Sequence, residues 1–100
     1  MITVVVSLPI RPDQRDRFAT EVVPLILSSP EPEGNLSVRC FESVGAAHSF
    51  LLLEQWSSQD ALDAWLRSDR FQAVTGTYRD LLAGPPTVAQ FAGTLAPAPA

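Results

Sequence analysis

One hundred residues with 46% hydrophobic and 18% charged side chains suffice for one folded core and are too rich in apolar groups for a disordered chain. A net charge of −4, carried against seven scattered arginines and no lysine, excludes an electrostatically driven nucleic-acid binder. The single Cys40 forms no internal disulfide, no apolar run approaches the roughly 18 residues of a membrane span, and the N-terminus lacks a basic leader. The expectation is a cytoplasmic protein with no membrane partner.

In chain order, residues 2–8 form a β-branched apolar run ending at Pro9, which predicts a first strand. Pro12 opens a helix, where its missing N–H costs little, and Phe18, Val22, Leu25 and Ile26 give that helix a buried stripe. Pro24, inside the stripe, is expected to kink it. Residues 28–35 are a breaker-rich loop. A second strand over 36–44 would place Leu36, Val38 and Cys40 on one face and Arg39 and Phe41 on the other. Gly45-Ala46-Ala47 predicts a hairpin turn into a third strand over 48–56.

The apolar spacing then changes. Leu62, Trp65 and Leu66 stand at i, i+3 and i+4, one stripe of a helix capped by Ser57 or Ser58 and running to Arg67. Ser68 and Asp69 read as a second cap, and Phe71, Val74, Tyr78, Leu81 and Leu82 continue a helical stripe despite Gly76. Gly84-Pro85-Pro86 ends it, a fourth strand follows over 87–95, and residues 96–100 form a Pro/Ala tail. The fold class is therefore α+β, in the ferredoxin-like order β-α-β-β-α-β: a four-stranded antiparallel sheet with helices on one face. Strands one and three are apolar on both faces, so a second copy is expected to cover the open side as a homodimer.

The stretch LLLEQWSSQDALDAWLRSDRF resembles the antibiotic biosynthesis monooxygenase (ABM) domain, a dimeric α+β barrel. The likeness rests on Glu54-Gln55-Trp56, Ser57-Ser58, Ala61-Leu62, Trp65-Leu66 and Ser68-Asp69-Arg70-Phe71, and extends over residues 2–95. It implies a domain over 1–95 and cofactor-independent oxidation, by O₂, of an aromatic quinol- or polyketide-like molecule. A non-catalytic binding or structural dimer, or an isomerase or cyclase, are the alternatives within such folds. The haem-degrading branch would need an axial His where Thr75 stands and an Asn where Ser7 stands. The anthrone-oxygenase branch would carry an Asn at Leu52, and many relatives have His in place of Trp65 and Arg70.

With one His and one Cys, a transition-metal site has too few good ligands, so neither metal nor cofactor is expected. Chemistry would rest on a shaped apolar pocket. Trp65, by its indole N–H, and Ser7, the polar interruption of strand one, are the catalytic candidates. Phe71 and Tyr78 could stack on a substrate; Arg39 and Arg70 could meet an anion or close the cleft mouth. Each has an alternative in plain packing or as a surface charge. His48 is the default base by its pKa range, but belongs to a hairpin end; Trp56 and Cys40 read as packing residues.

Overall fold

The computed structural model describes residues 1–28, 32–46 and 48–93. Four strands, β1 (Ile2–Pro9), β2 (Asn35–Glu42), β3 (Ser49–Trp56) and β4 (Thr87–Ala92), form one sheet in the order β2-β3-β1-β4. All pairings are antiparallel, with the two apolar strands in the centre. Four short helices accompany it: α1 (Arg15–Arg17), α2 (Val23–Ser28), α3 (Gln59–Leu66) and α4 (Asp69–Tyr78). This is the expected ferredoxin-like arrangement.

Alternation along the central strands divides the sheet. Val4, Val6 and Leu8 on β1 pair with Glu54, Leu52 and Phe50 on β3, so these share one face. On that face Leu8, Ile10, Phe18, Val22, Phe50, Leu52, Tyr78 and Leu81 form the main core. A second cluster gathers Val4, Trp56 and Leu62, with Trp65 packed against it. Phe18 is fully buried, 4.7 Å from the Phe50 ring centroid and edge-on to Tyr78 at 6.2 Å. Burying such a side chain stabilises by roughly 2–3 kcal/mol.

The helices differ from expectation at two points. Pro12 does open the first helical stretch, in a 3₁₀ turn, but Phe18–Val22 adopts a π turn in which Val23 N–H reaches the Phe18 carbonyl. The wider register precedes Pro24, which has no N–H to give, and one extra residue in the turn rotates everything after it. Leu25 therefore stands half exposed instead of completing the buried stripe, while Ile26 remains partly buried. Downstream, Ser58 and Ser68 are the N-caps of α3 and α4, accepting from the N–H groups of Ala61 and Phe71 at 3.1 Å each. The stripe drawn through Leu82 breaks after Tyr78, where a 3₁₀ turn, Arg79–Leu81, takes over.

Two strand expectations also change. The register shifts between Asn35 and Ser37, burying Asn35 and turning Leu36 outward, so Leu36 does not share a face with Val38 and Cys40. Strand β2 ends at Glu42, leaving Val44 fully exposed in the turn, and it lies at the edge of the sheet. Ala47 in the hairpin, the last two residues of the expected fourth strand and the tail lie outside the described residues.

Candidate functional site

The site begins with the inward alternation of β3. Phe50, Leu52, Glu54 and Trp56 all face the helices, which puts one carboxylate among apolar neighbours. The Trp56 indole N–H donates to Glu54 Oε1 at 3.0 Å. Burial raises the Glu54 carboxyl above its ordinary range, and that hydrogen bond opposes the rise without cancelling it. Among the described residues, no cation stands within ion-pair distance of Glu54.

Opposite Glu54, α3 and α4 supply an aromatic wall. Trp65 stacks on Trp56 with centroids 6.2 Å apart and meets the Phe71 ring edge-on at 5.7 Å. Ser68 locks the corner between the two helices, since its hydroxyl donates to the Trp65 carbonyl at 2.6 Å while capping α4. The Arg70 guanidinium lies 5.8 Å from the centre of the Trp65 ring, at the rim. Tyr78 completes the wall; its hydroxyl is pushed up in pKa by burial and then by the nearby Glu54 charge. Thr75 lines the same space, with its hydroxyl donating to the Phe71 carbonyl of its own helix.

Two cavities open against this wall. One, of about 110 Å³, lies toward α2 and β2, bordered by Ile26, Asn35 and Val38. The other, of about 470 Å³, lies toward β1 and β4, bordered by Val4, Leu62, Leu66 and Val88. Leu52, Glu54, Trp65, Phe71, Thr75 and Tyr78 line both. They are two lobes of one cleft, and Glu54 lies at their junction.

The structure thus brings together Trp65, Phe71, Tyr78 and Arg70 among the residues singled out from sequence. It separates Ser7 and Arg39 from them. Ser7 pairs with Leu51 and Thr87, and Arg39 with Leu53, all on the sheet face turned away from the helices. The expectation that Ser7 shares the cleft with Trp65 is therefore corrected: the cleft-side residues of β1 are Val4 and Val6. His48 stands at the hairpin end with a left-handed φ of 67°, its carbonyl accepting from Ile10 N–H, and it lines neither lobe. Cys40 is half buried beside the core, its thiol pushed up in pKa first by burial and then by Glu42. Among the described residues no group of His, Cys, Asp and Glu is arranged to hold a metal ion. No helix among them is long and apolar enough to cross a membrane. Glu54 lines both lobes without being among the sequence candidates, although the alternation from Phe50 to Trp56 marks it as inward.

Fold and cleft define a small ferredoxin-like domain with an aromatic-walled cavity between its helices and its sheet. The model of the antibiotic biosynthesis monooxygenase (ABM) family matches residues 1–76, and the chain belongs to that family. It is 29% identical over 85 residues to the Bacillus subtilis (strain 168) protein named "Putative monooxygenase YcnE", covering 85% of this chain and 90% of that one. A Deinococcus radiodurans structure described as a "putative antibiotic biosynthesis monooxygenase" superposes with a TM-score of 0.84 at 14% identity, over 100% of this chain and 99% of the other. Rv0793 from Mycobacterium tuberculosis gives a TM-score of 0.79 at 23% identity, over 97% and 98% of the two chains. These structural likenesses support the fold.

Proposed function

We propose that the protein is a monooxygenase that oxidises an electron-rich aromatic molecule, a quinol or a polyketide-like anthrone, with O₂ and without metal or flavin. The observation that carries this is the open cleft behind Trp65. A cavity of about 470 Å³ walled by Trp65, Phe71 and Tyr78 has the size and lining of an ordinary small-molecule site. Had those three rings filled the space, a structural dimer would be the better assignment.

Each wall residue has a part in this chemistry. Trp65 and Phe71 are positioned to stack on a planar substrate, and the apolar lobes exclude the water that would quench a reactive anion. Arg70, at the rim beside Trp65, favours a substrate whose oxygen atoms carry partial negative charge. Thr75, its hydroxyl engaged by the Phe71 carbonyl, offers no axial imidazole, so the haem-degrading chemistry of related folds is not part of the proposal.

The second copy belongs to the same proposal. Val5, Leu51, Leu53, Phe41 and Phe91 lie on the sheet face away from the helices, and pairing two such faces would bury them.

Oxygen uptake with a panel of hydroquinones, naphthohydroquinones and anthrone tests the activity. Enzyme-dependent uptake that falls at least tenfold in Trp65→Ala is the expected result. Tight binding of the same compounds with no uptake above the buffer rate would overturn the oxygenase assignment in favour of a binding protein. Turnover under nitrogen to an isomer would do so in favour of an isomerase.

A further inference from the structure

Among the described residues that line the cleft, Glu54 is the one carboxylate, and its surroundings suit it to accept a proton. Glu54 reaches the junction of the two lobes from β3. Trp56 holds Oε1 from behind at 3.0 Å, which fixes the carboxylate while leaving Oε2 without a side-chain donor among the described residues. Of the other polar groups near that junction, Tyr78 is a phenol whose pKa is raised further, and the guanidinium groups of Arg70 and Arg79 are hydrogen-bond donors with no acceptor. His48 and Cys40 line neither lobe.

We propose that Glu54 is the catalytic base, taking a proton from a C–H or O–H of an aromatic substrate bound in the larger lobe against Trp65 and Phe71. The proposal deepens the oxygenase assignment and rests on it for the fate of the anion. Burial strengthens Glu54 as a base relative to an exposed carboxylate, as proton abstraction from a weakly acidic carbon requires.

For an anthrone-type CH₂ the steps balance as follows. The Glu54 carboxylate takes one proton from the CH₂ carbon, and the electron pair of that C–H bond spreads into the ring as an enolate. The enolate gives one electron to O₂, and the two radicals join to form a C–O bond. The resulting peroxide anion takes the proton back from Glu54. Glu54 then removes the second C–H proton; its electron pair forms the C=O bond and the O–O bond breaks. The released hydroxide takes that proton as water and leaves Glu54 ionised. The sum is R₂CH₂ + O₂ → R₂C=O + H₂O, with the carbon oxidised and O₂ reduced.

Proton abstraction does not need oxygen, which makes it separable from oxidation. Wild type, Glu54→Gln and Glu54→Asp are incubated with anthrone in D₂O under nitrogen and deuterium at the CH₂ carbon is followed by mass spectrometry; oxygen uptake is measured in parallel in air. Gln retains the carbonyl that accepts from Trp56, and near-UV circular dichroism reports whether each variant keeps the packed cleft. The expected result is enzyme-dependent exchange in wild type, a loss of about 10²–10⁴-fold in Glu54→Gln and partial recovery in Glu54→Asp. Exchange without uptake would sustain Glu54 as the base and remove the oxygenase assignment. Uptake in folded Glu54→Gln within threefold of wild type would overturn Glu54 and leave that assignment standing. Should Glu54→Gln not fold, Glu54→Asp decides: a shorter side chain that leaves both rates unchanged overturns the proposal. Wild type that neither exchanges nor consumes oxygen overturns both.

Discussion

Trp56 donates its indole N–H to Glu54, two positions earlier on the same strand and the same face, at 3.0 Å. A largely apolar cleft thereby holds an acid that folding makes harder to ionise.

That relationship has a consequence for stability. The folded Glu54 carboxyl titrates above the unfolded value near 4.5, so between the two the folded state binds more protons. Stability contributed by the neutral acid is present below pH 4.5 and is lost as pH rises through the folded pKa. Glu54→Gln, neutral at every pH, should therefore melt higher than wild type at pH 8, and the gap should close toward pH 4. Thermal melts across that range check this. A variant less stable than wild type at pH 8 would mean that the ionised carboxylate is held by stronger partners than Trp56.

A second prediction concerns the joint between β2 and α3. Gly34 has a φ of +85°, and a Cβ placed there would sit 2.3 Å from Ala61 Cβ and 3.0 Å from Ser57 Oγ. Its carbonyl accepts from Ser57 N–H at 2.8 Å, so the backbone cannot swing away without losing that bond. Gly34→Ala should destabilise by about 2–4 kcal/mol, combining left-handed strain with the clash. Gly34→Ala/Ala61→Gly removes the contact with Ala61 and keeps the left-handed strain and the approach to Ser57 Oγ, so measured against Ala61→Gly alone, which carries about 1 kcal/mol of helix cost, the added loss should shrink to about 1 kcal/mol. Urea denaturation separates the two; equal losses would show that the contact with Ala61 is not the cause.

How far these features were legible depends on the range of the interactions that make them. Ser58 and Ser68 are local caps, and the order of strands and helices follows from local periodicity, so both were readable. Trp65, Phe71 and Tyr78 sit on helical stripes and do share the cleft. Ser7 was not placeable, because a strand apolar on both sides gives no sign of which face is inward; only its register with Leu51 and Thr87 decides that. Leu25 failed because the π turn inserts a residue ahead of it, and Leu36 because a bulge depends on the partner strand. Glu54 could have been found. A charged residue between Leu52 and Trp56 on an inward-alternating strand is the sequence signal of a buried acid.

Ser68 ties the cleft wall together, and its two hydrogen bonds are separable. Ser68→Ala loses the cap on Phe71 N–H and the hydroxyl's bond to the Trp65 carbonyl, which still accepts from the Ser68 N–H, and should cost about 1 kcal/mol. Ser68→Thr keeps both and should lie near wild type. Ser68→Asp keeps the cap and, as an ionised carboxylate, cannot donate to Trp65. If stability returns in Ser68→Asp while ligand-induced quenching of tryptophan fluorescence remains weakened, the bond to Trp65 positions the aromatic wall. Full recovery of both would assign Ser68 to helix capping only.

The last prediction tests the second copy. Leu53 lies near the middle of the outward sheet face, paired with Val5 and Arg39, and its strand is central. A carboxylate at that position would lie near the Arg39 side chain in a monomer, where it is solvated and tolerated. Buried between two sheets, the same carboxylate would meet apolar side chains of the other copy and its own symmetry mate, at a cost of several kcal/mol. If the proposed dimer forms, wild type should sediment as a dimer at micromolar concentration and Leu53→Glu as a monomer that keeps the α/β circular dichroism of the fold. Glu33→Gln, on the exposed loop before β2, should leave the dimer unchanged. A wild-type monomer under these conditions would remove the dimer, and a dimeric Leu53→Glu would move the interface off this face.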